Sequence, residues 1–197
     1  MNDLFRVVVA DPPWSFGDKL TMSSVKRGAA SNYGTLSATE LAAIPVQEWC
    51  LPDALLALWV PSSLLVDGLR VMGSWGFQQK QIYTWVKSPK NGGLAFGMGR
   101  YFRGCTEHAL IGTRGKVASM VKGKSERNAE VSLALGHSSK PDGLQHSLER
   151  MFPDGPYLEL FARRARPGWL CFGNEAPGFE GIDIRSWSPF ATLRGTA

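Results

Sequence analysis

The stretch VVVADPPWSF, residues 7–16, decides the fold class. Three valines and an alanine read as a strand buried on both faces, as in a parallel sheet. Asp11 then stands at the strand's C-terminal end, the edge where open α/β sheets bind ligands. Pro12 and Pro13 fix the backbone and remove two amide donors. With no N–H beside it, the Pro12 carbonyl is expected to face the same small volume as the Asp11 carboxylate, and Trp14 to supply a flat apolar face. Two acceptors and a stacking face suit an aromatic amine such as adenine. Acceptors that hold both amine hydrogens favour a pyramidal nitrogen and return its lone pair for attack. A carboxylate also stabilises the positive charge that grows on nitrogen in the transition state.

Outward from this stretch, apolar runs alternate with helical patterns, which predicts α/β. Strands are expected at residues 4–10, 54–60, 78–86, 107–112, 157–161 and 169–172. Residues 37–43 read as a short helix, because Ser37 and Glu40 have the spacing of a capping box. Pro61 opens a second helix running to about Gly73. Asp142 stands near the N-terminus of a third, ending at Met151. Long irregular stretches are expected at about 18–32, 87–103 and 116–139, with a tail at about 179–197. Loops of this length in a compact domain are usually functional or disordered.

The 197 residues fit one domain. Hydrophobic residues at 44% and charged residues at 20% suit a globular protein. No apolar run reaches membrane-spanning length, and residues 1–11 are too short for a signal peptide, so the expected location is cytoplasmic. Cys50, Cys105 and Cys171 are odd in number and widely spaced, which is not a disulfide framework. The net charge of +5 is compatible with a polyanionic partner. Cys105 and His108 have the spacing of half a zinc site with no second half, so no metal is expected and His108 reads as structural.

The residues DPPW at 11–14 resemble the catalytic signature of the MT-A70 family of S-adenosylmethionine-dependent adenine-N6 methyltransferases. Further segments match in order. YGTL (33–36) resembles a segment over that family's active site. LALWV (56–60) and YTWVK (83–87) resemble core strands, and GRYFRGCTEHALIGTRG (99–115) the family's GR…EH.L.G..G block. HSSKPD (137–142) resembles a gate segment, and LELFARR (158–164) with GWLCFGNE (168–175) the cofactor strands. The resemblance implies a single Rossmann-like methyltransferase domain with a mostly parallel sheet, flanking helices and permuted motif order. It implies catalysis by Asp11, Pro12, Pro13 and Trp14, and S-adenosyl-L-methionine held by Asp11, Lys140, Phe161, Arg163, Asn174 and Glu175. Lys140 would reach the methionine carboxylate; Arg163, Asn174 and Glu175 would contact the ribose and adenosine. The family's His-Asn pair after the Arg163 position is missing from RRARPGW, and Arg164 or Arg166 would substitute.

The expected substrate is adenine in DNA, flipped out or single-stranded. Tyr33 would contact the base. Lys19, Lys26, Arg27, Arg100 and Arg103, with Lys90, would contact phosphates, which position a strand without reading its sequence. RNA is the alternative substrate, and a non-catalytic nucleic-acid-binding partner is the alternative of another class. A methyltransferase for a small molecule or a side-chain amide is a minor one. With no separate recognition domain expected, specificity falls to the loops, a homodimer mate or a partner subunit.

Overall fold

The structure, a computed structural model, describes residues 4–16, 34–99, 101–133 and 139–190. The strands are β1 (Phe5–Ala10), β2 (Cys50–Val60), β3 (Gln78–Ser88), β4 (Thr106–Arg114), β5 (Ala129–Leu133), β6 (Tyr157–Leu160) and β7 (Trp169–Phe172). They form one sheet in the order β5-β3-β4-β2-β1-β6-β7. β4 runs antiparallel to β2 and β3, and the other pairings are parallel. The chain lays β2 on one side of β1 and later returns to place β6 and β7 on the other. The winding therefore reverses at β1, and the C-terminal end of such a strand is where open sheets open a crevice. This is the Rossmann-like, mostly parallel α/β architecture in permuted order.

Alternate side chains of the central strands serve opposite faces, as strand geometry requires. Val8, Ala10, Leu56 and Leu58 join one core with Leu41, Val71, Met72 and Trp75. Val7, Val9, Leu55, Ala57 and Trp59 join the other with Leu144 and Leu148. Helices α1 (Ala38–Ala42) and α2 (Leu65–Ser74) thus cover the first face, and α3 (Gly143–Met151) the second. Glycine lets α2 approach closely: a Cβ on Gly68 would lie 2.7 and 2.8 Å from the two Val60 methyls.

The capping box is present. Ser37 Oγ accepts from the Glu40 amide at 3.2 Å, and Glu40 Oε2 accepts from the Ser37 amide at 2.9 Å. Other expectations need correction. Pro61 introduces a 3-10 turn (Ser62–Leu64), with α2 proper beginning at Leu65. Asp142 does stand at the N-terminus of α3, as expected, with its carboxylate paired to Arg164 and Arg166 rather than to the helix amides. The region expected to be irregular at 116–139 holds a 3-10 turn (Val117–Met120) and β5. The expected tail is partly core. Trp187 is buried, stacks on Phe172 with ring centroids 4.0 Å apart, and meets Trp49 edge-on at 5.3 Å. Among the described residues no helix is long and apolar enough to cross a membrane.

Candidate active site

A cavity of about 880 Å³ opens at the C-terminal end of β1. Its lining includes Asp11, Pro12, Pro13, Trp14, Lys140, Phe161, Arg163, Asn174 and Glu175, and brings Asp11 together with Lys140, 129 residues away in sequence. The Asp11 amide donates to the Leu160 carbonyl at 3.3 Å, so the β1–β6 ladder fixes its backbone. The Trp14 amide donates to the Pro12 carbonyl at 2.9 Å. An i→i+2 bond of this kind centres on Pro13, whose ring presets a suitable φ. The Pro12 carbonyl is therefore not free of competing donors as expected; Trp14 uses one lone pair and one remains. Leu36 donates to the Pro13 carbonyl at 2.8 Å and Ser15 to the Leu36 carbonyl at 3.0 Å, which pins the segment in place.

Trp14 also differs from expectation. Its side chain is only 4% exposed, and Nε1 donates to the Trp59 carbonyl at 2.9 Å. A large apolar ring with one N–H is satisfied by a core position with one buried acceptor. Trp14 therefore lines the cavity as a fixed wall of the core and offers little open face.

A charge cluster that no local pattern announces occupies the same volume. Lys140 Nζ donates to the two Asp11 oxygens at 2.9 and 2.8 Å and lies 3.2 Å from Glu107 Oε2. It also stands 5.5 Å from the centre of the Trp59 ring. Lys87 pairs with the other Glu107 oxygen. Burial pushes the Lys140 pKa down, but the Asp11 and Glu107 carboxylates outweigh it and hold it above the ordinary lysine value. Burial likewise pushes Glu107 up, and Lys140 and Lys87 outweigh it, so that its pKa is lowered. Lys140 and Glu107 are thus each held in the charged form at neutral pH. Lys140 was expected to reach toward a cofactor carboxylate; here it is already paired with two carboxylates of the chain.

On the β6–β7 side, Arg163 Nε lies 3.7 Å from Glu175 Oε1. Phe161 has φ 63°, a left-handed conformation rare for an aromatic residue. Such backbone strain clusters at ligand sites, and Phe161 lines the cavity. A Cβ on Gly173 would overlap the Ala162 backbone, so a glycine is required where the two strand ends converge. Arg164 and Arg166 do not substitute for the missing ribose contacts. Neither lines the cavity. Arg164 pairs with Asp142, while Arg166 lies 3.1 Å from Asp142 and 2.7 Å from Glu149.

Arg103 is exposed near the cavity rim, where Gly104 lines the opening. Tyr33, Lys19, Lys26, Arg27 and Arg100 lie outside the described residues. Sequence reasoning missed Glu107 as a partner of Asp11's cation, and it missed the 181–185 stretch, which also lines the cavity. An acid at the start of a buried strand was the available signal for Glu107. His108 bonds the Thr84 hydroxyl at 3.2 Å and the Thr106 hydroxyl at 3.3 Å. Among the described residues no group of three or more His, Cys, Asp or Glu side chains is placed to hold a metal ion.

The sequence model of the MT-A70 family matches residues 5–175. The chain is 30% identical over 191 residues to the Type II methyltransferase M.MunI of Mycoplasma sp, covering 88% of this chain and 78% of that protein. It is 29% identical over 195 residues to the human N(6)-adenine-specific methyltransferase METTL4, covering 91% of this chain and 39% of that protein. It is 29% identical over 185 residues to the human N(6)-adenosine-methyltransferase catalytic subunit METTL3, covering 91% of this chain and 29% of that protein. The chain thus spans most of the first relative and less than half of the other two.

Proposed function

The chain belongs to the MT-A70 family, and from that premise we propose that it transfers a methyl group from S-adenosyl-L-methionine to the exocyclic N6 amine of adenine in DNA. The observation that carries this reading is the Asp11 carboxylate at the winding reversal of the sheet, in one cavity with Glu175, Asn174 and Arg163. The relative matched over most of its length is a Type II methyltransferase, and another is named for adenine N6.

The residues present fit the cofactor. Glu175, Asn174 and Arg163 offer polar groups for the ribose and adenosine portion, Phe161 an apolar ring, and Lys140, held between Asp11 and Glu107, the cation that faces the cavity. A volume of about 880 Å³ lies within the usual range of small-molecule sites. When bound, S-adenosylmethionine supplies a methyl group activated on a sulfonium.

Asp11 and the remaining lone pair of the Pro12 carbonyl accept the two amine hydrogens and orient the nitrogen lone pair. The Asp11 carboxylate stabilises the charge that develops on nitrogen, which is absent in the ground state. The methylated nitrogen then loses a proton to Asp11 or to water. Lys140 uses one acceptor site on each Asp11 oxygen, so a second site remains for the amine, as one does on the Pro12 carbonyl, and Glu107 holds the ammonium from its other side.

RNA is the second reading, since METTL3 is named for adenosine N6. A non-catalytic partner is the weaker one, because Asp11, Lys140 and Glu175 are all present in the cavity. The test is transfer of labelled methyl to DNA and RNA oligonucleotides of equal sequence, with an Asp11→Ala control. Label in DNA adenine that the control lacks supports the proposal. Label in RNA alone selects the second reading, and no label in either, in an otherwise folded protein, refutes both.

A further inference from the structure

Five large apolar side chains stand exposed within nine residues beside the cavity. Leu94 is 67% exposed, Phe96 80%, Met98 91%, Tyr101 88% and Phe102 90%. A cluster this exposed marks a binding surface or an aggregation liability. This loop is built rather than slack. Ala95 donates to the Lys87 carbonyl at 2.9 Å, which ties the loop to the end of β3. Gly97 donates to the Gly104 carbonyl at 3.1 Å. A Cβ on Gly97 would overlap that carbonyl, and one on Gly99 would overlap the Phe102 carbonyl, so glycine permits the tight fold that turns the rings outward. Gly97, Met98 and Gly104 line the same cavity as Asp11.

Charge identifies the occupant. Residues 89–105 include Lys90, Arg100 and Arg103 and no Asp or Glu. The Arg103 guanidinium lies 4.7 Å from the centre of the Phe96 ring, so one cation is already organised against one aromatic face. A second copy of the chain docked about a two-fold axis on this loop would set these cations against themselves, which is unfavourable. Aromatic rings interleaved with cations and without acids suit an unpaired nucleic-acid strand, whose bases stack on the rings while its phosphates meet the cations.

We propose that residues 94–99 and 101–103 form the strand-stacking platform of this enzyme, with Phe96, Tyr101 and Phe102 taking the bases that flank the adenine in the cavity and Arg103 an adjoining phosphate. The proposal rests on the nucleic-acid reading above and adds the element that grips the strand beside the target base.

The test measures binding of labelled adenine-containing oligonucleotides by fluorescence anisotropy, together with methyl transfer and cofactor affinity. Tyr101→Ala and Phe102→Ala should each weaken binding by roughly 5- to 150-fold, the range of one lost base stack. Their salt dependence should match the wild type, and cofactor affinity should not change. Tyr101→Trp should restore binding, since any aromatic face serves. Arg103→Gln should instead lower the slope of log affinity against log salt by about 1. Wild-type affinity in the Tyr101→Ala/Phe102→Ala double variant, with the wild-type protein binding and methylating normally, would overturn the platform and leave the proposed function standing. A wild-type protein that binds cofactor but no oligonucleotide would overturn both. A dimer in sedimentation that the double variant converts to monomer without loss of oligonucleotide affinity would make the loop a self-interface and overturn the platform.

Discussion

Asp11→Asn separates what the carboxylate does by charge from what it does by shape. The amide is nearly isosteric and keeps one acceptor oxygen, so Lys140 retains a partner there as well as Glu107 at 3.2 Å. The fold should therefore stay intact. The chemistry should not. The Asp11 side chain is 28% exposed, which calls for an effective dielectric of about 20 rather than that of a dry interior. A full unit charge about 4 Å from the carboxylate is then worth about 4 kcal/mol. If roughly half that charge has developed on nitrogen at the transition state, loss of the carboxylate costs about 2 kcal/mol. The Asn amide also sets a donor against the amine's own hydrogens, and losing one hydrogen bond adds about 1 kcal/mol. The total of about 3 kcal/mol corresponds to a rate loss of about 150-fold. The assay is single-turnover transfer of labelled methyl to an adenine oligonucleotide, with both partners saturating and cofactor affinity measured separately. A rate within about threefold of the wild type would refute the charge-stabilisation reasoning, because two neutral acceptors would then suffice.

The remaining predictions concern the site's walls and its charges. Trp14→Phe keeps the ring in the core but leaves the buried Trp59 carbonyl without its indole donor, and should lower unfolding free energy by about 1–3 kcal/mol in a denaturant titration. Gly68→Ala gains roughly 1 kcal/mol of helix propensity but drives a methyl into the stiff, buried Val60; overpacking wins, and thermal denaturation should show a net loss of about 1–2 kcal/mol. Glu107 has a folded pKa below its ordinary value of 4.5, so it contributes stability above that value and loses it as pH falls through the depressed one. Glu107→Gln should therefore flatten the stability-against-pH curve below about pH 5 relative to the wild type, while the neutral-pH difference stays constant; parallel curves through acid pH would contradict the assignment.

Different parts of this molecule were legible in the sequence to different degrees, for physical reasons. β1 was legible because a strand buried on both faces writes an uninterrupted apolar run, and its acid announced the sheet edge. α1 was legible because a capping box is a purely local device. β5 was not. Its residues are exposed or half-exposed, it lies at the sheet's end, and its ladder to β3 depends on backbone pairing that side chains do not record. The roles of Arg164 and Arg166 were misread because a basic run looks the same whether its partners are a ligand or α3. Their carboxylates, Asp142 and Glu149, come from a different element. Trp14 was read as an open face because its neighbours in sequence are at a sheet edge; its indole N–H reaches 45 residues away to Trp59.

The cation at the centre of the cavity connects these observations. A partly buried lysine facing one carboxylate would resist displacement, because breaking such a pair strands an uncompensated charge. Lys140 instead faces two, from β1 and from β4, and β4 supplies Glu107 at the height of Asp11 because it runs antiparallel between β2 and β3. An amine arriving at Asp11 uses the acceptor sites that the ammonium leaves open, and any shift of Lys140 that makes room for it leaves that cation with Glu107. Lys87 lends the same support from β3, since it pairs with Glu107 and prevents that acid from standing alone when Lys140 shifts. The antiparallel strand, an exception in an otherwise parallel sheet, thus lets Lys140 and Glu107 stay paired when an amine takes up Asp11.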